Sequence, residues 1–173
     1  MMPIKLYLTE PQERFVFSEA KHPAMCAGYG AGKSQAGVIR ILLRAIKYRN
    51  MNFAFVEPTF DLVRLIAWPR FEEVLDSWNI AFQLNKSESI MTLANGSRIV
   101  FRSADNPSRL VGFEVADAVI DEAALRTMHH DIERMKIRLE DMGGGGGGDE
   151  DTCPCDWTPV STSCVSWLSP NAP

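Results

Sequence analysis

The chain has 173 residues, an apolar share of 46% and a formal net charge of −4, which suits one globular domain with its own core. No stretch approaches the roughly 20 apolar residues of a membrane span, and no apolar signal region stands at the N-terminus, so the expectation is a cytoplasmic protein without membrane contact. The segment from Gly143 carries Asp149, Glu150, Asp151 and Asp156 but no Lys or Arg, leaving a formally neutral body that argues against a standing positive field for nucleic acid.

In chain order, residues 11–20 begin a short helix, with Thr9 placed to cap it and Pro11 suited to its first turn. Residues 23–27 (PAMCA) read as a short buried strand, with Cys26 as a small core residue. Residues 27–34, Ala-Gly-Tyr-Gly-Ala-Gly-Lys-Ser, follow that strand and open a helical pattern over 35–48. Val38, Ile39, Leu42, Leu43 and Ile46 share one face of that helix, with Arg40, Arg44 and Lys47 elsewhere.

Strand, Gly-rich loop and helix in succession are the setting of a phosphate cradle. Glycines let backbone N–H groups turn onto phosphates, a lysine neutralises β/γ charge, and a hydroxyl holds Mg²⁺. Gly28, Gly30, Gly32, Lys33 and Ser34 fill those roles, with Tyr29 and Ala31 completing the loop. The pattern G-x-x-x-x-G-K-[ST] (Walker A) has one departure, Ala27 at its leading position.

Residues 52–56 (NFAFV) form a buried strand, and 59–78 carry a helical stripe through Leu62, Ile66, Phe71 and Leu75 that Pro69 kinks or divides. Residues 89–94 and 97–102 are strands around Asn95-Gly96, a hairpin signal. Residues 115–120 (VADAVI) form a strand running into Asp121-Glu122, the Walker B arrangement. Asp121 can hold a water on Mg²⁺ and Glu122 can polarise an attacking water. The same pair also suits a helix N-terminus, since residues from Ala123 read as helical.

Alternating elements with an inserted β-hairpin imply an α/β fold with a mostly parallel sheet covered on both faces. Composition changes at Met142. Residues 1–142 are expected to form the domain, and 143–173, opening with six glycines, a low-complexity, disordered tail. Cys153, Cys155 and Cys164 could bind metal or form a disulfide, but they lack a His partner and the paired C-x-x-C spacing of zinc sites. His129 and His130, adjacent on a helix, point to different faces.

Leu8-Thr9-Glu10-Pro11-Gln12, the Gly-rich loop, Phe55-Val56-Glu57-Pro58-Thr59-Phe60, Trp68-Pro69, the run from Asn95 to Pro107, and Ala118-Val-Ile-Asp-Glu-Ala-Ala124 together resemble the N-terminal ATPase domain of the large terminase subunit of tailed bacteriophages. The resemblance rests on their order and spacing over roughly residues 6–125. It implies a P-loop NTPase core of the RecA-like (ASCE) type. The activity it implies is ATP hydrolysis with Mg²⁺ that drives double-stranded viral DNA into a preformed head, in the cytoplasm of an infected or prophage-bearing bacterium.

By that resemblance Lys33 and Ser34 meet the phosphates and Mg²⁺, Asp121 supports Mg²⁺, Glu122 activates water, and Gln12 reads the adenine edge. A portal protein, a small terminase subunit and a homo-oligomeric ring are the implied partners. Many family members carry an arginine inside the loop where this chain has Tyr29, for which Arg40, Arg102 and Arg109 are candidate substitutes. The family's Ser/Thr-rich coupling motif and nuclease domain do not follow Glu122, so a truncated or frame-disrupted product without nuclease activity is expected. The alternatives are a non-catalytic remnant or assembly component and a superfamily 2 helicase-like fragment. A nucleotide kinase fits less well, because the interval before Asp121 does not resemble a lid and acceptor site.

Overall fold

The computed structural model describes residues 4–20, 23–105, 114–122 and 163–168. Helix α1 (Glu10–Val16) opens on the expected cap: the Thr9 backbone N–H donates to Gln12 Oε1 at 2.9 Å, and Thr9 and Gln12 form a capping box. It ends four residues earlier than its sequence pattern. Strand β1 (Ala24–Ala27) leads through the Gly-rich loop into α2 (Lys33–Lys47). Only Met25 in β1 is fully buried. Cys26 is therefore not the core residue expected: the two-residue period that turns Met25 inward turns Cys26 out. It is disulfide-bonded.

Strand β2 (Asn52–Glu57) is followed by one turn of α3 (Phe60–Leu62), a π-helical turn (Val63–Ala67) and α4 (Trp68–Ser77), so the single predicted helix is divided just before Pro69. Proline suits this place, the first turn of α4, where its missing N–H costs no hydrogen bond. Strands β3 (Phe82–Asn85), β4 (Ile90–Leu93), β5 (Arg98–Ser103), β6 (Asp117–Ile120) and β7 (Ser163–Leu168) complete the described elements.

One sheet takes the order β1-β7-β6-β2-β5-β4-β3. β2 pairs in parallel with β5 and β6, while β7 runs antiparallel to both β1 and β6. Strands β1, β6, β2 and β5 consequently point the same way and their C-terminal ends share one edge, where ligands of open α/β sheets bind. Residues 163–168 fall within the segment the sequence marks as a low-complexity tail, yet they fill the slot between β1 and β6. The main chains of Cys26 and Cys164 are register partners.

The predicted hairpin around Asn95-Gly96 forms between β4 and β5. Gly96 has φ +85°, and a Cβ there would press on the Asn50 side chain. The Asn95 amide donates to the carbonyls of Ala45 (2.8 Å) and Ile46 (3.2 Å), and Ser97 Oγ donates to Tyr48 O at 2.5 Å, so the turn caps the end of α2.

Phe53, Phe55, Ile99, Phe101 and Val119 project from the sheet into the core beneath Ile41, Leu42, Phe71 and Leu75. The alternate residues Ala118 and Ile120 are buried as well, so both faces of β6 are covered. Phe71 sits edge-to-face on Phe55 (5.0 Å between centroids) and Phe101 (4.9 Å). Phe71→Ala leaves a ring-sized cavity among rigid neighbours and is expected to destabilise the fold by about 3–5 kcal/mol, read as a lowered midpoint in denaturant unfolding.

Candidate nucleotide site

The Gly-rich loop leaves β1 at the shared C-terminal edge. Gly30 and Gly32 have φ of +77° and +75°, a region that glycine enters without a Cβ penalty. Gly28 has no positive φ, and nothing lies within 4 Å of where its Cβ would stand. A small side chain is thus tolerated early in the loop, consistent with Ala27 at the leading position of the motif. Gly28, Tyr29, Gly30 and Ala31 are exposed. Gly32 caps α2, whose first turn holds no acidic residue, so its free N–H groups and positive dipole end are left to an anion.

Lys33 is buried, and its Nζ donates to the carbonyls of Ala27 (2.8 Å) and Gly28 (2.9 Å). The ammonium is held at the base of the loop by two neutral acceptors, which leaves its charge available to a phosphate. Gln12 reaches the same loop: its Nε2 donates to Ala31 O (3.2 Å) and Gly32 O (3.3 Å). A Cβ on Gly32 would meet that amide. Gln12 therefore joins the start of α1 to the cradle, with donor and acceptor both engaged.

Asp121 follows β6, with its backbone N–H donating to Val56 O at 2.9 Å. Its carboxylate is buried, which pushes its pKa up, against the opposing pull of the Ser34 hydroxyl and of the Glu122 N–H, which donates to Oδ1 at 2.9 Å. The positive charges of Arg70 and Lys33 also pull its pKa down. A hydroxyl and a carboxylate oxygen brought together are the hard oxygen donors that Mg²⁺ takes. Glu122 sits at φ +52°, an unusual backbone for a residue with a Cβ and one that turns the chain sharply at the strand end. It remains partly exposed beside the loop.

A further acid stands at this edge. Glu57, at the end of β2, is 3% exposed. Burial, then the negative charges of Asp121 and Glu122, raise its carboxyl to about 8, against the pull of Arg70. Its sequence signal was legible: Phe53-Ala-Phe-Val-Glu57 is an apolar strand ending in an acid, like the strand before Asp121. Because the unfolded-state value lies near 4.5, the unfolded chain ionises Glu57 while the fold keeps it protonated. The contribution of Glu57 to stability is thus full below about pH 4.5 and is lost as pH rises to about 8. Glu57→Gln should flatten this decline in thermal unfolding between pH 5 and 8.

The arginines considered as loop substitutes lie elsewhere. Arg40 is 1% exposed, and its guanidinium donates to the carbonyls of Phe15, Val16 (3.1 Å) and Ser18 (2.9 Å), clamping the end of α1. Burial lowers its pKa to about 10. The helical period pointed it away from the core stripe, but α1 covers that side. Arg102 donates to Phe101 O (2.7 Å) and Glu88 O (3.4 Å). Arg44 pairs with Asp117 beneath α2; burial pushes the Asp117 carboxyl up to about 7 against that pull. Arg109, His129, His130, Cys153, Cys155 and the boundary at Met142 lie outside the described residues.

Comparison with known proteins agrees with this architecture. The PBSX phage terminase large subunit of Bacillus subtilis (strain 168) is 31% identical over 101 residues, covering 57% of this chain and 23% of that protein. The large terminase of a thermophilic bacteriophage superposes with a TM-score of 0.61 at 14% identity, over 77% of this chain and 36% of its own. The complex of that terminase with ADP gives 0.59 at 15% identity, over 73% and 35%. This chain thus spans about a quarter of the curated relative and about a third of the solved one, and at these identities the solved structures establish the fold. The family model for the phage terminase large subunit matches residues 19–146, most of the chain, and with the P-loop architecture described above this protein belongs to the phage terminase large subunit family.

Proposed function

We propose that this chain is the ATPase domain of a DNA-packaging terminase, binding ATP with Mg²⁺ and hydrolysing it to power movement of double-stranded viral DNA into the prohead. The observation that carries this reading is a Gly-rich loop closed by the buried Lys33 at the start of α2, on the same sheet edge as the buried Asp121 at the end of β6. The thermophilic bacteriophage's large terminase has been solved in complex with ATP-γ-S and with ADP, and the shared fold extends nucleotide binding to this chain as part of the proposal.

In this mechanism the loop N–H groups and Lys33 hold the β- and γ-phosphates, and Glu122 orients water for in-line attack on the γ-phosphorus. Ser34 and Asp121 would hold Mg²⁺, which would supply charge neutralisation at the phosphates. Gln12 exchanges its loop carbonyls for the adenine edge, since its amide both donates and accepts. Residues 1–142 form the ATPase domain, and β7 (163–168), from the segment after it, completes the domain's sheet. A portal protein and a small terminase subunit are the proposed partners, with a homo-oligomeric ring as the working assembly in the cytoplasm of an infected bacterium.

The test is Mg²⁺-dependent ATP binding and release of inorganic phosphate by the full chain, with and without double-stranded DNA. Saturable binding with turnover is the expected result. No binding at millimolar ATP would overturn the reading, and binding without turnover would make this chain a nucleotide-binding remnant.

A further inference from the structure

The strand that feeds the Gly-rich loop has a single neighbour in the sheet. β1 stands at the end of the strand order and pairs with β7, and β7 pairs on its other side with β6, which runs into Asp121. The loop-bearing strand and the acid-bearing strand are thus joined within the sheet by Ser163–Leu168, a short segment that enters from the far end of the chain. If β7 leaves, the facing edges of β1 and β6 lose their ladder partners, and nothing in the sheet then fixes the loop relative to Asp121.

Cys26 lies in β1, immediately before the loop, and is exposed and disulfide-bonded. Its possible partners in the chain are Cys153, Cys155 and Cys164. The antiparallel register of β1 and β7 sets Cys26 directly opposite Cys164. Residues opposed in this way have Cα atoms about 4.5–5.5 Å apart, inside the range of about 4.4–6.8 Å that a disulfide spans. The bonded state of Cys26 and the main-chain register are separate observations, and both point to one pairing.

We propose that Cys26 and Cys164 form a reversible disulfide that latches β7 between β1 and β6, so that the thiol–disulfide poise of the surroundings controls assembly of the nucleotide site. The bond forms by exchange with a small-molecule disulfide such as oxidised glutathione. One protein thiolate attacks a sulfur of that disulfide, forming a mixed disulfide and releasing one small thiol. The second protein thiolate then attacks the protein sulfur of the mixed disulfide and releases the other small thiol. Two protein thiols are oxidised to one disulfide, and one small disulfide is reduced to two thiols. Excess thiol reverses both steps, and the exposure of Cys26 gives it access. Exposed disulfides are the labile ones, and those of a reducing compartment are transient and redox-sensing. The effect on nucleotide affinity rests on the proposed function, whereas the pairing and its hold on the sheet do not.

The experiment equilibrates the full chain with oxidised glutathione or with excess dithiothreitol, alkylates the remaining thiols, and maps the peptides by mass after trypsin and chymotrypsin. Cleavage after Trp157 separates Cys164 from Cys153 and Cys155. The expected result is a Cys26 peptide joined to a Cys164 peptide in the oxidised sample and separate from it in the reduced one. A bond from Cys26 to Cys153 or Cys155, or no bond, overturns the pairing. Reduction should lower the thermal midpoint by about 5–15 °C. It should also weaken calorimetric binding of ATP-γ-S with Mg²⁺ about tenfold, within the usual range for coupled sites. Cys26→Ser and Cys164→Ser should behave as the reduced chain under both conditions, while Cys153→Ser combined with Cys155→Ser should keep the full response. An unchanged midpoint overturns the latch, and a lowered midpoint with unchanged affinity overturns its control of the site. If the oxidised chain binds no ATP-γ-S, the functional reading fails, and the map and the midpoint still decide the latch. Should a serine variant not fold, the oxidised and reduced forms of the native chain decide by the same readings.

Discussion

Lys33→Ala is expected to abolish measurable ATP binding, or to reduce affinity or turnover by at least about 100-fold, the scale of losing one preorganised charge at a reacting phosphate. The reason is positional. The ammonium lies at the root of the loop, its two hydrogen bonds go to neutral carbonyls, and its stem is buried. Lys33 is the lysine whose charge pulls on Asp121. The substitution also orphans the carbonyls of Ala27 and Gly28, at a stability cost of about 1–3 kcal/mol, so thermal unfolding of the variant accompanies calorimetric titration with ATP and Mg²⁺. A folded Lys33→Ala protein with native affinity and rate would remove the phosphate cradle from the account.

Glu122→Gln should separate binding from chemistry. The amide keeps the volume of the side chain and retains the backbone turn at φ +52°, together with the N–H bond to Asp121 Oδ1. What disappears is the carboxylate that orients and polarises water, an effect worth about 10²–10⁴-fold in rate. ATP affinity is expected to stay within a few-fold of the native value while single-turnover phosphate release collapses. Preserved turnover would assign the water to another group, and Glu57, buried at the neighbouring strand end, would be the first to examine.

The local grammar of the site was legible because it depends on spacing along the chain. Glycines at 30 and 32 take the positive φ that the loop needs, Lys33 and Ser34 begin the helix after it, and an apolar strand runs into Asp121-Glu122. The hairpin at Asn95-Gly96 and the break before Pro69 were equally local, since both follow from the backbone limits of single residues. Less was visible where two elements meet. Arg40 stands off the apolar stripe by period, yet α1 folds over it and supplies three carbonyls. Cys26 reads as core, yet strand alternation turns it outward. Strand β3 alternates apolar and polar residues over only four positions, Phe82 to Asn85, too short a signal to stand alone, and is held by pairing with β4.

The sequence by itself determined the chemistry on offer: a phosphate-binding loop, an acid pair at a strand end, and a parallel α/β framework to carry them, all encoded within short windows by backbone sterics and hydrophobic period. Only the tertiary structure decided which distant groups join them. Asp121 comes to the same sheet edge as the Gly-rich loop, far away along the chain, because β6 and β1 point the same way in one sheet. Glu57 becomes a buried acid at the same edge because β2 lies beside β6. Such convergence depends on strand order and helix docking, which long-range burial of apolar surface selects and no local pattern specifies.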